Sequence, residues 1–310
     1  MNSMLSSVAE RLYWMARYLE RAENMACLTN AYTQFILDVP KGTQPGWDSL
    51  IRIIEGEEEF AARYSEYSER NVLKFLIADL DNPGSIRFAI HSARENIRTT
   101  RDTLPEQCWE LVNALNLYVS ENAEASIARR HRFQFLDRVV ARLQRITGLI
   151  ASSVPRDHAY QFIRIGRLIE RCDMTSRVVD VATAATLGRQ NPNAPEVTWL
   201  WTNLLKSLSA VAAYRRETGP VVEGGEVIDF LFRSEAFPRS VFFCLDNIAI
   251  ETEKIGNGER VLEVVDRSHK LVHSLEPEAI TLARLHEFID RLQARLIELH
   301  ETVAATWFIR

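Results

Sequence analysis

Arg17-Tyr18-Leu19-Glu20-Arg21-Ala22-Glu23 reappears 150 positions later as Arg167-Leu168-Ile169-Glu170-Arg171-Cys172-Asp173. Were the echo chance, no other segment would match at that offset. Three more do. Trp47-x-x-Leu50-Ile51 answers to Trp201-x-x-Leu204-Leu205. Phe75-Leu76 with Pro83-x-Ser85-Ile86-x-Phe88-x-Ile90 answers to Phe230-Leu231 with Pro238-x-Ser240-Val241-x-Phe243-x-Leu245. Phe135-Leu136-Asp137-Arg138 answers to Phe288-Ile289-Asp290-Arg291. The offsets of 150, 154, 155 and 153 are collinear. They predict an internal tandem duplication, residues 1–155 and 156–310, with the two halves packing as one domain.

Each half reads as helices. Leu5, Val8, Leu12, Met15, Leu19, Ala22, Met25, Ala26 and Thr29 follow the 3-and-4 spacing of one buried stripe and predict a helix over 3–38, ended by Pro40–Gly46. Its counterpart runs from near Asp157 to near Asn191. Asn82-Pro83-Gly84-Ser85 and Phe237-Pro238-Arg239-Ser240 are helix starts, and long closing helices are expected at 133–154 and 279–307. No run alternates Val, Ile and Thr as a strand does. The expectation is an all-α, internally duplicated helical bundle with pseudo-twofold symmetry.

Composition narrows the function. Twelve Gly and ten Pro in 310 residues favour helix, and a formal charge of −5 provides no field for nucleic acid or anionic lipid. The amino terminus lacks a signal-peptide core and no apolar run reaches the roughly 18 residues of a membrane span. A cytoplasmic protein without nucleic-acid or membrane partners is expected. Cys27, Cys108, Cys172 and Cys244 stand far apart and predict buried free thiols rather than a disulfide framework or zinc site. No GxGxxG or Walker loop is present, so no cofactor is expected. His269 and His273 are i, i+4 with Glu276 beyond, but without HExxH a solvated helix face is the expectation and no metal is assigned. Ser85 and Ser240 read as helix caps, Gly219–Gly225 as a flexible loop, and Arg129–Arg132 as a solvated basic run.

The Glu–Arg pairs carry the chemistry. On a helix Arg17, Glu20 and Arg21 project within one turn of each other, as do Arg167, Glu170 and Arg171. At the border of an apolar stripe such charges must be paired. One reading is a duplicated buried salt-bridge network, each glutamate held bidentately by an arginine of a neighbouring helix, with Arg94, Arg98 or Arg101 as the holders. The other is a composite cleft in which the arginines grip a carboxylate or phosphate and a desolvated glutamate serves as base. Both stay open.

These motifs, with Ala93-Arg94-Glu95-Asn96-x-Arg98-x-x-Arg101-Asp102 and Trp109-Glu110, resemble the bacterial alpha-E family over essentially the whole chain. The resemblance implies an all-helical domain whose members keep company with circularly permuted ATP-grasp ligase-like proteins, transglutaminase-like peptidases and a proteasome-related hydrolase. It implies an accessory or binding component of peptide or amide ligation, holding an acidic peptide or amino acid near Arg17, Glu20, Arg21, Arg94, Arg98, Arg167, Glu170 and Arg171. An enzyme of peptide metabolism with Glu20 or Glu170 as acid or base is the alternative, and a structural scaffold without ligand a second.

Overall fold

Leu12, Met15, Leu19, Ala22, Met25, Ala26 and Thr29 form one buried row, yet Tyr13, Ala16, Glu20, Glu23 and Asn24 on other faces of the same helix are buried as well. A helix enclosed on nearly every side is central rather than amphipathic. Leu5, assigned to the stripe by its spacing, lies before this enclosed stretch and is exposed. The enclosing elements explain the difference.

The computed structural model describes residues 4–38, 46–187, 195–277 and 281–308. Four long helices belong to the first half: α1 (Ser6–Asp38), then, after the short α2 (Asp48–Ile53), α3 (Glu57–Ala61) and α4 (Glu69–Ile77), α5 (Ile86–Arg98), α6 (Glu106–Ser126) and α7 (Arg129–Ser153). The second half follows the same order: α8 (His158–Leu187), then α9 (Pro195–Ser207), α10 (Val211–Glu217) and α11 (Gly224–Arg233), then α12 (Val241–Ile255), α13 (Glu259–His273) and α14 (Leu282–Trp307). Among the described residues there is no strand, and the protein is all-α. The breakers Pro40–Pro45 and Asn191–Ala194 lie outside the described residues.

The packing order repeats. In the first half α1 meets α5, α5 meets α6, α6 meets α7, and α7 returns to α1; in the second, α8, α12, α13 and α14 close the same ring. The extensive packing of α1 on α8 joins the rings, while α2 packs on α8 and α9 on α1, each crossing to the other half. One apolar cluster runs continuously from Ala9 to Phe308 through both halves. At the α1–α8 crossing Gly166 has no room for a side chain: a Cβ there would stand 2.4 Å from the carbonyl oxygen of Tyr13.

The cap residues behave alike. Ser85 Oγ accepts from Phe88 N at 3.0 Å and donates to the Asp79 carbonyl; Ser240 Oγ accepts from Phe243 N at 3.0 Å and donates to the Ser234 carbonyl. Each hydroxyl thus satisfies an orphan amide of the helix start and ties down the preceding loop.

Three local expectations are corrected. Arg132 of the basic run turns inward, 2% exposed, where it donates to Glu69 at 2.8 Å and to the Ile127 carbonyl, because a guanidinium buried at the start of α7 needs a counter-charge and the half-buried Glu69 at the start of α4 supplies it. The Gly219–Gly225 segment is not a free loop. Tyr214, fully buried, donates to the Val221 carbonyl at 2.9 Å, and Gly224 and Gly225 already open α11, with Trp201 packed where a Gly224 side chain would be. On the His269–His273 face His273 is exposed as expected, but His269 is half-buried, and both rings pack edge-on against Phe242 at separations of 4.8 and 5.4 Å.

Candidate functional site

Where α1 crosses α8, the two Glu–Arg motifs interlock, and each glutamate is held by the arginines of the other motif. Arg171 donates Nε to Glu20 Oε1 at 2.8 Å and Nη2 to Oε2 at 3.0 Å, while Arg167 donates Nε to Oε2 at 2.7 Å. In the opposite direction Arg21 donates Nε to Glu170 Oε1 at 2.5 Å and Nη2 to Oε2 at 3.0 Å, and Arg17 donates Nε to Oε2 at 2.8 Å. The two constellations agree atom for atom. Even the second fork arm is shared: Arg21 Nη1 reaches the Pro83 carbonyl and Arg171 Nη1 the Pro238 carbonyl.

The arginines holding the glutamates are therefore not Arg94, Arg98 or Arg101. Arg94 donates to Asn113 at 2.8 Å and to Glu95, Arg98 donates to Glu95 at 2.9 Å, and Arg94 and Arg101 both lie over the Trp109 ring. Arg94 and Arg98 stand on the face of α5 turned toward α6, with Arg101 just after its end, and they form a separate cluster. Bidentate holding by a neighbouring helix is present, but that helix is the crossing partner.

Arg239, just before the Ser240 cap, is the participant that spacing alone did not single out. It donates to Glu20 Oε1 at 2.8 Å, to Asn24 Oδ1 at 2.6 Å and to Glu23 at 3.2 Å. Its matched position in the first half is Gly84. That departure from an otherwise parallel motif is the signal that points to it.

Burial and charge decide the protonation states. Both glutamates are 2% exposed. Burial alone would push the Glu20 carboxyl up, but Arg171, Arg239 and Arg167 outweigh it and hold Glu20 well below the ordinary carboxylate range. Burial likewise opposes ionisation of Glu170, and Arg21 and Arg17 overcome it, bringing the value down to about 2. Both are ionised acceptors with their lone pairs engaged. Next to Glu170, Asp173 is raised by burial although Arg177 bonds it at 2.9 Å. Burial lifts the Cys27 thiol to about 11 and the Cys244 thiol to about 12, so neither is a thiolate. All four cysteines are free.

The flanks of the clamp differ. On the Glu170 flank Tyr13, fully buried, takes a bond from Arg17 Nη1 at 3.4 Å and lies 2.8 Å from His300 Nδ1, with the two rings stacked at 5.6 Å and Trp14 edge-on to His300. Tyr13 Oη and His300 Nδ1 share one hydrogen bond whose direction follows the imidazole tautomer. Burial and the charge of Arg17 push His300 down to about 4. On the Glu20 flank a small cavity of about 50 Å³ opens between α1, α7 and α8, lined among others by Leu19, Glu20, Ile150, Ile163, Arg164 and Arg167.

Among the described residues no group of three or more His, Cys, Asp or Glu is placed to hold a metal, and no helix is long and apolar enough to cross a membrane.

Comparison with known proteins agrees with this geometry. Uncharacterized proteins of Mycobacterium bovis and Mycobacterium tuberculosis are each 22% identical to the chain over 328 aligned residues, covering 96% of this chain and 36% of theirs. The chain thus spans about a third of the length of these relatives. No solved structure matches it. Residues 4–308 match the model of the Alpha-E family, described as a predicted alpha-helical domain with a conserved ER motif. With both Glu–Arg motifs at the heart of an all-helical fold, the chain belongs to the Alpha-E family.

Proposed function

We propose that this chain is a helical accessory module of a peptide- or amide-ligating system, which holds an acidic group of a peptide or amino acid beside the interlocked Glu–Arg motifs. The observation that carries the reading is the surplus of guanidinium around Glu20. Arg167, Arg171 and Arg239 face two carboxylates, Glu20 and Glu23, and arginine forks are suited to a further carboxylate. Use of Glu20 or Glu170 as acid or base is the weaker reading. Each is fully engaged by arginines and held ionised far below neutrality, whereas an effective base is poised near the working pH.

That an equivalent segment makes up 36% of the mycobacterial relatives supports a module that works joined to, or beside, other domains. ATP-grasp ligase-like and transglutaminase-like proteins are the partners proposed. A structural role for the clamp is compatible with this function, since pinning α1 to α8 also positions the arginines. The test is calorimetric titration of the protein with a short oligoglutamyl peptide and its glutaminyl counterpart. Saturable binding of the acidic peptide alone, weakening as salt is raised, is expected; absence of binding by the acidic peptide refutes the reading.

A further inference from the structure

The matched positions around the two glutamates place different side chains on the two flanks. Glu170 is flanked by Tyr13, Trp14 and Arg17; the positions 150 further on, beside Glu20, are Ile163, Arg164 and Arg167. His300 of α14 is answered, at the offset of 153, by Thr147 of α7. Gly166, pressed against the Tyr13 carbonyl, is answered by Ala16. Tyr13, Trp14 and His300 fill their flank with three stacked or edge-on rings. Ile163, Arg164, Thr147 and Ala16 instead line the cavity. Ile163, Arg164 and Thr147 are smaller than Tyr13, Trp14 and His300 at the corresponding places, and leave the opening.

The arginines differ in the same sense. Arg17 bonds Glu170 with Nε and Tyr13 with Nη1, and its guanidinium lies 5.0 Å from the centre of the Trp14 ring. Its counterpart Arg167 makes one hydrogen bond, Nε to Glu20. Its nearest approach to Glu23 is 3.9 Å. Arg164 donates Nη2 to Asn247 at 3.2 Å and stands 3.8 Å from Glu251. Two guanidinium groups with unused donors therefore border the cavity, against Leu19, Ile150 and Ile163. A cavity of about 50 Å³ exceeds the roughly 10–15 Å³ that a single water needs, which leaves room for a carboxylate and a methylene or two.

We infer that the two Glu–Arg constellations have divided their work: the Glu170 side, closed by Tyr13, Trp14 and His300, is structural, and the Glu20 side is a one-sided receptor for an aliphatic carboxylate. Arg164 and Arg167 take the carboxylate and the Leu19, Ile150 and Ile163 walls take its alkyl stem. Glu20, already saturated by three arginines, positions Arg167 rather than touching the ligand's acid. This inference rests on the proposed holding of an acidic group and adds where it is held. A free dicarboxylic acid and a glutamyl side chain of a peptide present the same chemistry.

The experiment is calorimetric titration of the full chain with glutarate, with an N-acetyl glutamyl amide, with the oligoglutamyl peptide and with sulfate. Three proteins are compared: wild type, Arg164→Gln, and Ala151→Leu, which adds bulk at the exposed cavity mouth on α7 without touching the clamp. Wild type is expected to bind the aliphatic carboxylates better than sulfate, and either substitution to weaken them by roughly tenfold or more, as loss of a charged hydrogen bond or of the space would. Preference for glutarate identifies a free acid, preference for the glutamyl amide or peptide a side chain. If acidic peptides bind equally well to all three proteins, the cavity is not the site while the acidic-group reading survives. If none of the acids binds wild type, both fall, and sulfate binding as well as the acids overturns the alkyl-carboxylate assignment.

Discussion

Replacing Glu20 by Gln removes the one charge on which three arginines converge. The side chain is 1% exposed and accepts four hydrogen bonds, from Arg167 Nε, Arg171 Nε and Nη2, and Arg239 Nη1. Glutamine keeps the shape, but one of its terminal atoms becomes a donor facing guanidinium donors. Three positive charges are left with Glu23 as their remaining close counter-ion. Removing one partner of a buried, hydrogen-bonded ion pair costs about 3–5 kcal/mol, because the uncompensated charge stays buried. For a single cooperative unit of 310 residues, an unfolding entropy of about 2.1 cal/mol/K per residue totals about 650 cal/mol/K, so the melting temperature should fall by about 5–8 °C. Glu170→Gln removes three bonds from two arginines and should cost less. Differential scanning calorimetry at pH 7 with no ligand present measures both. Residues retained for function are often neutral or unfavourable for stability. A Glu20→Gln protein melting within about 1 °C of wild type, or above it, would refute the reasoning that the clamp holds α1 to α8, since about 650 cal/mol/K makes that less than about 1 kcal/mol.

Two further outcomes follow from the crossing. Gly166→Ala places a Cβ against the Tyr13 carbonyl, a backbone atom that cannot rotate away, and should destabilise by about 1–3 kcal/mol in chemical denaturation despite alanine's better helix propensity; an unchanged or raised midpoint would show that the helices can separate. His300 is held neutral, with its value in the fold lowered to about 4 from 6.5, so its contribution is complete above about pH 6.5 and is lost as pH falls towards 4. Wild type should lose melting temperature across that window and His300→Phe should lose less; His286, raised by Asp180, acts in the opposite sense in both proteins and drops out of the difference. Equal slopes would exclude His300 as the cause.

The 3-and-4 spacing, the Ser85 and Ser240 caps and the paired motifs identified an all-helical chain and put Glu20 and Glu170 at the centre of attention. These signals are local, because helix period and capping depend on residues a few positions apart. Even so, the breadth of burial around α1 was not legible. A spacing pattern reports one stripe, whereas enclosure by α5, α7, α8 and α9 buries the remaining faces.

Partner identity was a tertiary decision throughout. Arg94, Arg98 and Arg101 carry the same charge as Arg17, Arg21, Arg167 and Arg171, and nothing along the chain distinguishes a guanidinium 74 residues from Glu20 from one 151 residues away. The crossing of α1 on α8 chose the latter and recruited Arg239 from 219 positions away. The same crossing set Tyr13 against His300, 287 positions apart, and closed one flank. By itself the sequence determined that two equivalent Glu–Arg turns exist on two long helices. Which arginine meets which carboxylate, and which flank stays open, depends on how those helices approach, because Coulomb attraction and hydrogen bonding act over a few ångströms of space and take no account of distance along the chain.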